Sequence, residues 1–130
     1  MQNTRDMENR FFDNWSTQLR KGMLELGILN TICRRRRYGY GIVRRLRQIE
    51  GLAISEGTIY PILSRLKREG LVRTSIEESQ EGPPRKYYEL TDAGMEMLIA
   101  MNSHWQSIKT DADSLKPENP DAQPMSGDPS

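Results

Sequence analysis

Between Ser55 and Leu90 the chain changes its hydrophobic period once, from helical to alternating, and that single switch narrows the available folds more than any other feature. From about Ser55 to Glu69, Ile59, Ile62, Leu63 and Leu66 fall on one face, a capping residue (Ser55, or Thr58 one turn later) stands at the start, and Gly70 closes the segment, which predicts a short amphipathic helix. Pro61 bears on where that helix starts. A proline in a helix interior costs about 3 kcal/mol but is tolerated in the first turn, so either Thr58 is the cap or a missing hydrogen bond is accepted. Directly after Gly70, LVRTSIE alternates with Val72, Thr74 and Ile76 on one side, and RKYYEL alternates with Lys86, Tyr88 and Leu90. Between them lies ESQEGPP, a turn-forming stretch.

Two helical segments precede this unit. Gly22 to Cys33 carries Met23, Leu24, Leu26, Ile28, Leu29 and Ile32, an apolar arc wide enough to be covered from two sides. Tyr40 to Ile49 places Ile42, Leu46 and Ile49 inward and Arg44, Arg45 and Arg47 outward. Residues 1–19 read as an N-terminal extension in which Phe11, Phe12 and Trp15 anchor a short helix to the body. Three helices followed by two strands joined through a Gly-Pro loop is the order of a winged helix-turn-helix domain, mainly α with a two-stranded β wing, over residues 20–90. From Thr91, the residues Gly94, Leu98, Met101, Trp105, Ile108, Ala112 and Leu115 recur at alternating spacings of four and three, so residues 91–116 form a long helix with a seam for another helix. A domain of this size cannot bury Leu98, Met101, Trp105 and Ile108 together, and a homodimer is expected. Residues 117–130, rich in proline and polar side chains, are expected to be a disordered tail.

The net charge of +1 hides a strong asymmetry. Residues 20–86 hold 15 Lys and Arg against seven Asp and Glu, whereas residues 87–130 hold two against eight. A basic central segment beside an acidic end is what a protein shows when one surface meets phosphates and another does not. The single cysteine, Cys33, rules out a disulfide framework and paired-cysteine metal or redox motifs. His104 is the only histidine, and no Gly-rich phosphate loop or paired ligand spacing is present, so neither an enzyme nor a metal or cofactor protein is expected. The segment MQNTRDMENR lacks the apolar core of a signal peptide and no stretch is apolar enough to span a membrane, which points to the cytoplasm.

A helix that lies in the major groove needs one apolar side to hold it and one polar side to face base edges and phosphates. Opposite its apolar side the third helix carries Gly57, Pro61, Ser64 and Arg68, flanked by Tyr60 and Arg65, with Thr58 near its start as a phosphate donor. Tyr38 and Tyr40 open the preceding helix, where hydroxyls and free backbone N–H groups meet a phosphate. In the loop GPPRKYY, Arg85 and Lys86 stand just beyond a rigid turn, as a wing reaching along the DNA backbone requires. The run Arg34 to Arg37 either contacts phosphates or complements the dipole at the end of the first helix. An interaction module that binds protein and no DNA, and a MarR-like repressor, are the rival readings.

The segments YGYGIVRRL, SEGTIYPILSRLKREGLV and EGPPRKYYELTDAG, in this order and spacing, resemble the PadR family of bacterial transcriptional regulators over roughly residues 20–110. The resemblance implies a homodimer held by the C-terminal helix together with the N-terminal region. It also implies double-stranded operator DNA with two half-sites as partner, usually under repression. Tyr38, Thr58, Tyr60, Arg65 and the wing residues Arg85 and Lys86 are the implied DNA contacts. A single C-terminal helix is similar to the smaller subfamily, and in some PadR-like dimers an aromatic in this region lines a pocket for flat hydrophobic compounds. Met97, Met101 and Trp105 are therefore the expected pocket for a planar aromatic effector. Four consecutive arginines depart from the family pattern at that loop.

Overall fold

The computed structural model describes residues 2–118 and contains four α-helices and one three-stranded antiparallel sheet. The first helix, α1 (Gln2–Thr31), is continuous. Nothing between residues 2 and 21 breaks a helix, since the stretch holds neither glycine nor proline, and Thr17 and Ser16 donate their hydroxyls back to the Asp13 carbonyl without interrupting it. The expected boundary near residue 19 is therefore absent. Only the C-terminal half of α1 enters the core, through Leu24, Leu26, Ile28, Leu29 and Ile32. Phe11, Phe12 and Trp15 do not anchor anything to the body: they are exposed, with Phe12 tilted against Trp15 at 5.9 Å between ring centroids.

A two-residue strand, β1 (Arg37–Tyr38), leads into α2 (Gly39–Leu46), which buries Ile42, Val43 and Leu46. After Leu46 the backbone tightens, Ile49 N–H bonding to the Leu46 carbonyl at 3.0 Å, and a 3-10 turn follows at Glu50–Leu52. The i to i+3 geometry rotates successive side chains by more than an α-helix does. Leu52 becomes the inward residue, and Ile49, expected on the apolar face, is half exposed.

Ser55 settles the start of α3 (Glu56–Arg68) by accepting from Thr58 N–H through its side chain. Pro61 thus lies inside the helix, and the Gly57 carbonyl lacks its usual donor, at a position exposed to solvent. Ile59, Leu63 and Leu66 are buried and Ile62 packs at the edge of the core. Gly70, at φ +78°, ends the helix: its N–H reaches the Lys67 carbonyl and that of Leu71 reaches the Leu66 carbonyl, both at 3.0 Å.

Strands β2 (Val72–Ser79) and β3 (Gly82–Leu90) pair antiparallel, with Val72 opposite Leu90 and Ser75 opposite Tyr87, and β1 adds to the other side of β3. Pro83 and Pro84 belong to β3 and not to the turn. They sit where the register slips between the Glu77–Arg85 and Ser79–Gly82 pairs, a bulge in which a missing N–H is tolerated. The last helix, α4 (Asp92–Ser114), is capped by Thr91 and crosses the C-terminal half of α1, where Asn30 and Asn102 exchange two amide hydrogen bonds of 3.0 and 2.9 Å. Leu98 is part of the single apolar core. Residues 119–130, most of the expected tail, lie outside the described residues.

The start of α4 is docked onto the end of α3. Thr91 donates its hydroxyl to the Gly70 carbonyl at 2.6 Å and its N–H to the Leu71 carbonyl at 3.1 Å, and a Cβ on Gly94 would stand 2.0 Å from that same oxygen. Because the clash is with backbone, Gly94→Ala is expected to destabilise the protein by about 1–3 kcal/mol or more in urea unfolding. Gly51→Ala, where no atom lies within 4 Å, should stay within about 0.5 kcal/mol. Equal stabilities of the two variants would show that the joint yields freely.

Candidate nucleic-acid interface

Two depressions on one face of the molecule share Lys86. The first, about 350 Å³, is lined by Tyr38, Tyr40, Tyr60, Arg85, Lys86 and Tyr88 around Gly39. The second, about 390 Å³, runs between α3 and the sheet and is lined by Ser64, Lys67, Arg68, Thr74 and Lys86 over Leu63 and Tyr88. Neither is lined by an acidic residue. The elements converge here because α3 packs its apolar face on the core, which turns Tyr60, Ser64, Lys67 and Arg68 outward beside β3.

Gly39 makes the first depression possible. The Tyr60 ring lies across it, so that a Cβ at Gly39 would meet that ring at 2.6 Å. Arg85 places its guanidinium 4.7 Å from the centre of the Tyr38 ring, and Arg36 does the same over Tyr87 at 4.6 Å, while Tyr38 and Tyr87 stand 6.0 Å apart. Stacking holds the Arg85 guanidinium over its ring without an ion-pair partner among the described residues, whereas Arg36 is also engaged by Glu77. Burial pushes the Tyr60 phenol above its ordinary range, with Glu56 adding to the effect, and burial likewise raises Tyr88, with Tyr60 adding. Both phenols therefore remain hydrogen-bond donors well above neutral pH.

This surface brings together seven of the nine residues expected to meet DNA: Tyr38, Tyr40, Tyr60, Ser64, Arg68, Arg85 and Lys86. Thr58 is at the α3 start, its hydroxyl within 2.9 Å of the capping Ser55 Oγ. Arg65 is turned the other way, toward α1, and pairs with Glu25 at 2.5 Å. That hydrogen bond and the carboxylate charge raise its already high pKa. In the free protein its guanidinium is engaged by α1, apart from the two depressions where the other expected contacts gather. Gly39, Lys67 and Tyr88 belong to the surface although sequence reasoning did not place them there. Tyr88 was legible only as an inward strand residue, and the contact of Tyr60 with Gly39 joins segments 21 residues apart.

The family model described as the transcriptional regulator PadR-like family matches residues 28–100. The chain belongs to the PadR-like family. Solved structures agree. A PadR-like transcriptional regulator from Bacillus cereus is 38% identical, covering 75% of this chain and 95% of its own with a TM-score of 0.69. A Streptococcus transcriptional regulator is 35% identical over 77% of this chain and 98% of its own, at 0.69. A PadR family regulator from Eggerthella lenta is 28% identical over 87% and 98%, at 0.73. Among curated proteins none matches. Membership makes the chain a DNA-binding transcriptional regulator and not an enzyme, and it sets aside the MarR-like alternative.

Within the PadR-like frame, the seam residues of α4 divide. Leu98 is buried in the chain's own core, because the α4 start is pulled onto the α3–β2 junction. Met101 and Trp105 are half-buried against that core, and Ile108 and Met97 are exposed. Of the expected pocket trio, Trp105 lines a cavity that opens toward α1 and α2, and Met97 and Met101 do not line it.

The raised phenols give a direct check of this geometry. Since folding disfavours their ionised forms, their contribution to stability is fully present below about pH 10 and is lost as the pH rises through the folded-state values. Alkaline titration followed in the ultraviolet should therefore lose high-pH absorbance change in Tyr60→Phe and in Tyr88→Phe, and Gly39→Ala, by displacing the Tyr60 ring, should move part of it toward pH 10. Titration curves unaltered in their high-pH limb would contradict the packing described.

Proposed function

We propose that this PadR-like chain is a homodimeric, cytoplasmic repressor that binds an operator of two half-sites through α3 and the β2–β3 wing, and that a small-molecule effector releases it. The convergence of α3 and β3 on Lys86, in a cationic and phenol-lined surface without acidic lining, carries the reading. In the assignment, Ser64, Lys67 and Arg68 face the major groove, and Arg85 and Lys86 follow the backbone or enter the minor groove. Tyr38, Tyr40 and Tyr60, with Thr58 at the helix start, donate to phosphates. Arg65 joins the interface if phosphate or a base draws it from Glu25.

The dimer is supported by apolar side chains that the protomer leaves uncovered on two helices: Met7, Phe11, Phe12, Trp15 and Leu19 on α1, and Ile99, Ile108 and Leu115 on α4. Scattered exposed apolar residues are ordinary, but an aromatic-rich row along one half-helix is an interaction surface. A partner of the same kind covers both rows and sets the separation of the two α3 helices, which must match half-sites about 34–36 Å apart or a multiple. Sedimentation at micromolar concentration is expected to show a dimer, and a monomer alone would overturn this part of the reading.

Affinity for double-stranded fragments retained by the purified protein should fall steeply with salt, each neutralised phosphate adding about −0.9 to the slope of log affinity against log salt. Arg85→Ala should reduce that slope by up to about one unit, and Ser64→Ala with Arg68→Ala should relax sequence preference. Weak, salt-insensitive association with every fragment would favour a protein-interaction module instead.

A further inference from the structure

The far part of the β2–β3 hairpin stands clear of the apolar core. Burial on β2 ends at Val72 and on β3 resumes only at Tyr88; from Ser75 to Lys86 no residue is buried, and Ile76 is 70% exposed. A two-stranded hairpin is marginal on its own, so its direction depends on something other than apolar packing. The outer face of the sheet supplies it. The register sets Tyr38, Tyr87 and Ser75 side by side across the three strands, with Arg85 and Glu77 in the next row toward the turn. Arg36, one residue before β1, crosses this face diagonally: its guanidinium covers the Tyr87 ring at 4.6 Å, reaches Ser75 Oγ at 3.5 Å and pairs with Glu77. Arg85 covers the Tyr38 ring at 4.7 Å, and the two rings lie 6.0 Å apart. Cations and rings thus form one connected group from Arg85 through Tyr38 and Tyr87 to Arg36. Glu77 stands opposite Arg85 at the last regular pair before the bulge. Among the described residues no other ion pair reaches beyond Ser75, since that of Arg73 with Glu89 closes nearer the base at 2.9 Å.

From these observations we infer that Arg36 is a positioning residue: it braces the wing so that Arg85 and Lys86 stand where a duplex backbone meets them, and it makes no DNA contact of its own. The inference deepens the DNA reading above and rests on it for its consequence in binding. Arg36 belongs to the densest run of charge in the chain, yet its guanidinium is already answered by a carboxylate and a ring, whereas Arg85 has a ring alone. The planar guanidinium suits the task, since it stacks on the ring through its face and donates to Ser75 and Glu77 through its edge. Without it the hairpin beyond Ser75 is held to the body only through the strand pairing at its base, and any swing of that hairpin carries Arg85 and Lys86 together.

The test uses the full chain, a duplex fragment that it retains, and the variants Arg36→Gln, Glu77→Gln and Arg85→Ala. Arg36→Gln is expected to weaken duplex binding by about three- to tenfold, the sum of one exposed ion pair and one cation–ring contact. The sign of Glu77→Gln decides between brace and contact. If Arg36 were a phosphate ligand, removing the carboxylate would free it and relieve repulsion of the duplex, and affinity would rise. The brace predicts a fall, and an affinity at or above that of the parent overturns the inference. Arg85→Ala should also cost less in the Arg36→Gln background than in the parent, whereas additive losses would show two separate contacts. Amide exchange of the free protein supplies a readout without DNA: residues 76–86 should exchange faster in Arg36→Gln and in Glu77→Gln, with α3 unchanged. Unaltered exchange there, or faster exchange with duplex affinity intact, overturns the inference as well. Glu77→Gln keeps the size of an exposed side chain, so its two measurements stand even if Arg36→Gln folds poorly. Failure of the DNA reading looks different, as absence of salt-dependent duplex binding by the parent.

Discussion

The contact between the Leu71 carbonyl and the α-carbon of Gly94 is the constraint around which this molecule is arranged. Gly70 ends α3 in the left-handed conformation, Leu71 turns the chain into β2, and Thr91 binds back to both residues before α4 begins. Only a glycine lets α4 start so close to that turn. In consequence α4 emerges in a direction set by α3, Leu98 falls into the core, and the outer part of α4 projects away with Ile108 and Leu115 uncovered. The end of α3 and the start of α4 share one close-packed joint. Under the dimer proposed above, that sharing lets the separation of the two α3 helices depend on how two copies meet.

The electrostatic arrangement follows from the same packing. Because the apolar faces of α2 and α3 are buried against α1, their basic residues are distributed around the outside, and the sheet decides which of them meet. β3 brings Arg85 and Lys86 to the open flank of α3, whereas β1 pulls Arg37 under the end of α1 and leaves Arg34 and Arg35 on the opposite side. Two cationic regions result, one beside the wing and one behind α2. A net charge of +1 conceals them, because Glu and Asp lie elsewhere along the chain.

Much of the candidate surface beside α3 and β3 was legible in the sequence, because it depends on local signals. The serine cap, the apolar positions Ile59, Leu63 and Leu66, the terminal glycine and the strand alternation each follow from residues within one or two turns of each other. What was not legible depends on distant contacts. The pairing of Arg65 with Glu25 joins residues 40 apart, and nothing near Arg65 signals it. β1 has two residues, too few for a period. The heptad pattern in α4 was real, but the pattern alone does not distinguish a residue packed on its own domain, such as Leu98, from one that awaits a partner. Likewise the N-terminal aromatics looked like anchors, since exposure is a property of the fold and not of the side chain.

Amide hydrogen exchange of the full chain, alone and with a duplex fragment that it retains, tests the central claim most directly, because it reports along the whole backbone without any substitution. The account predicts added protection from DNA in the first half of α3, around Gly57 to Ser64, and in β3 from Gly82 to Tyr88, with little change in the N-terminal half of α1. Protection confined to α1 and α4, with α3 and β3 unaltered, would contradict it.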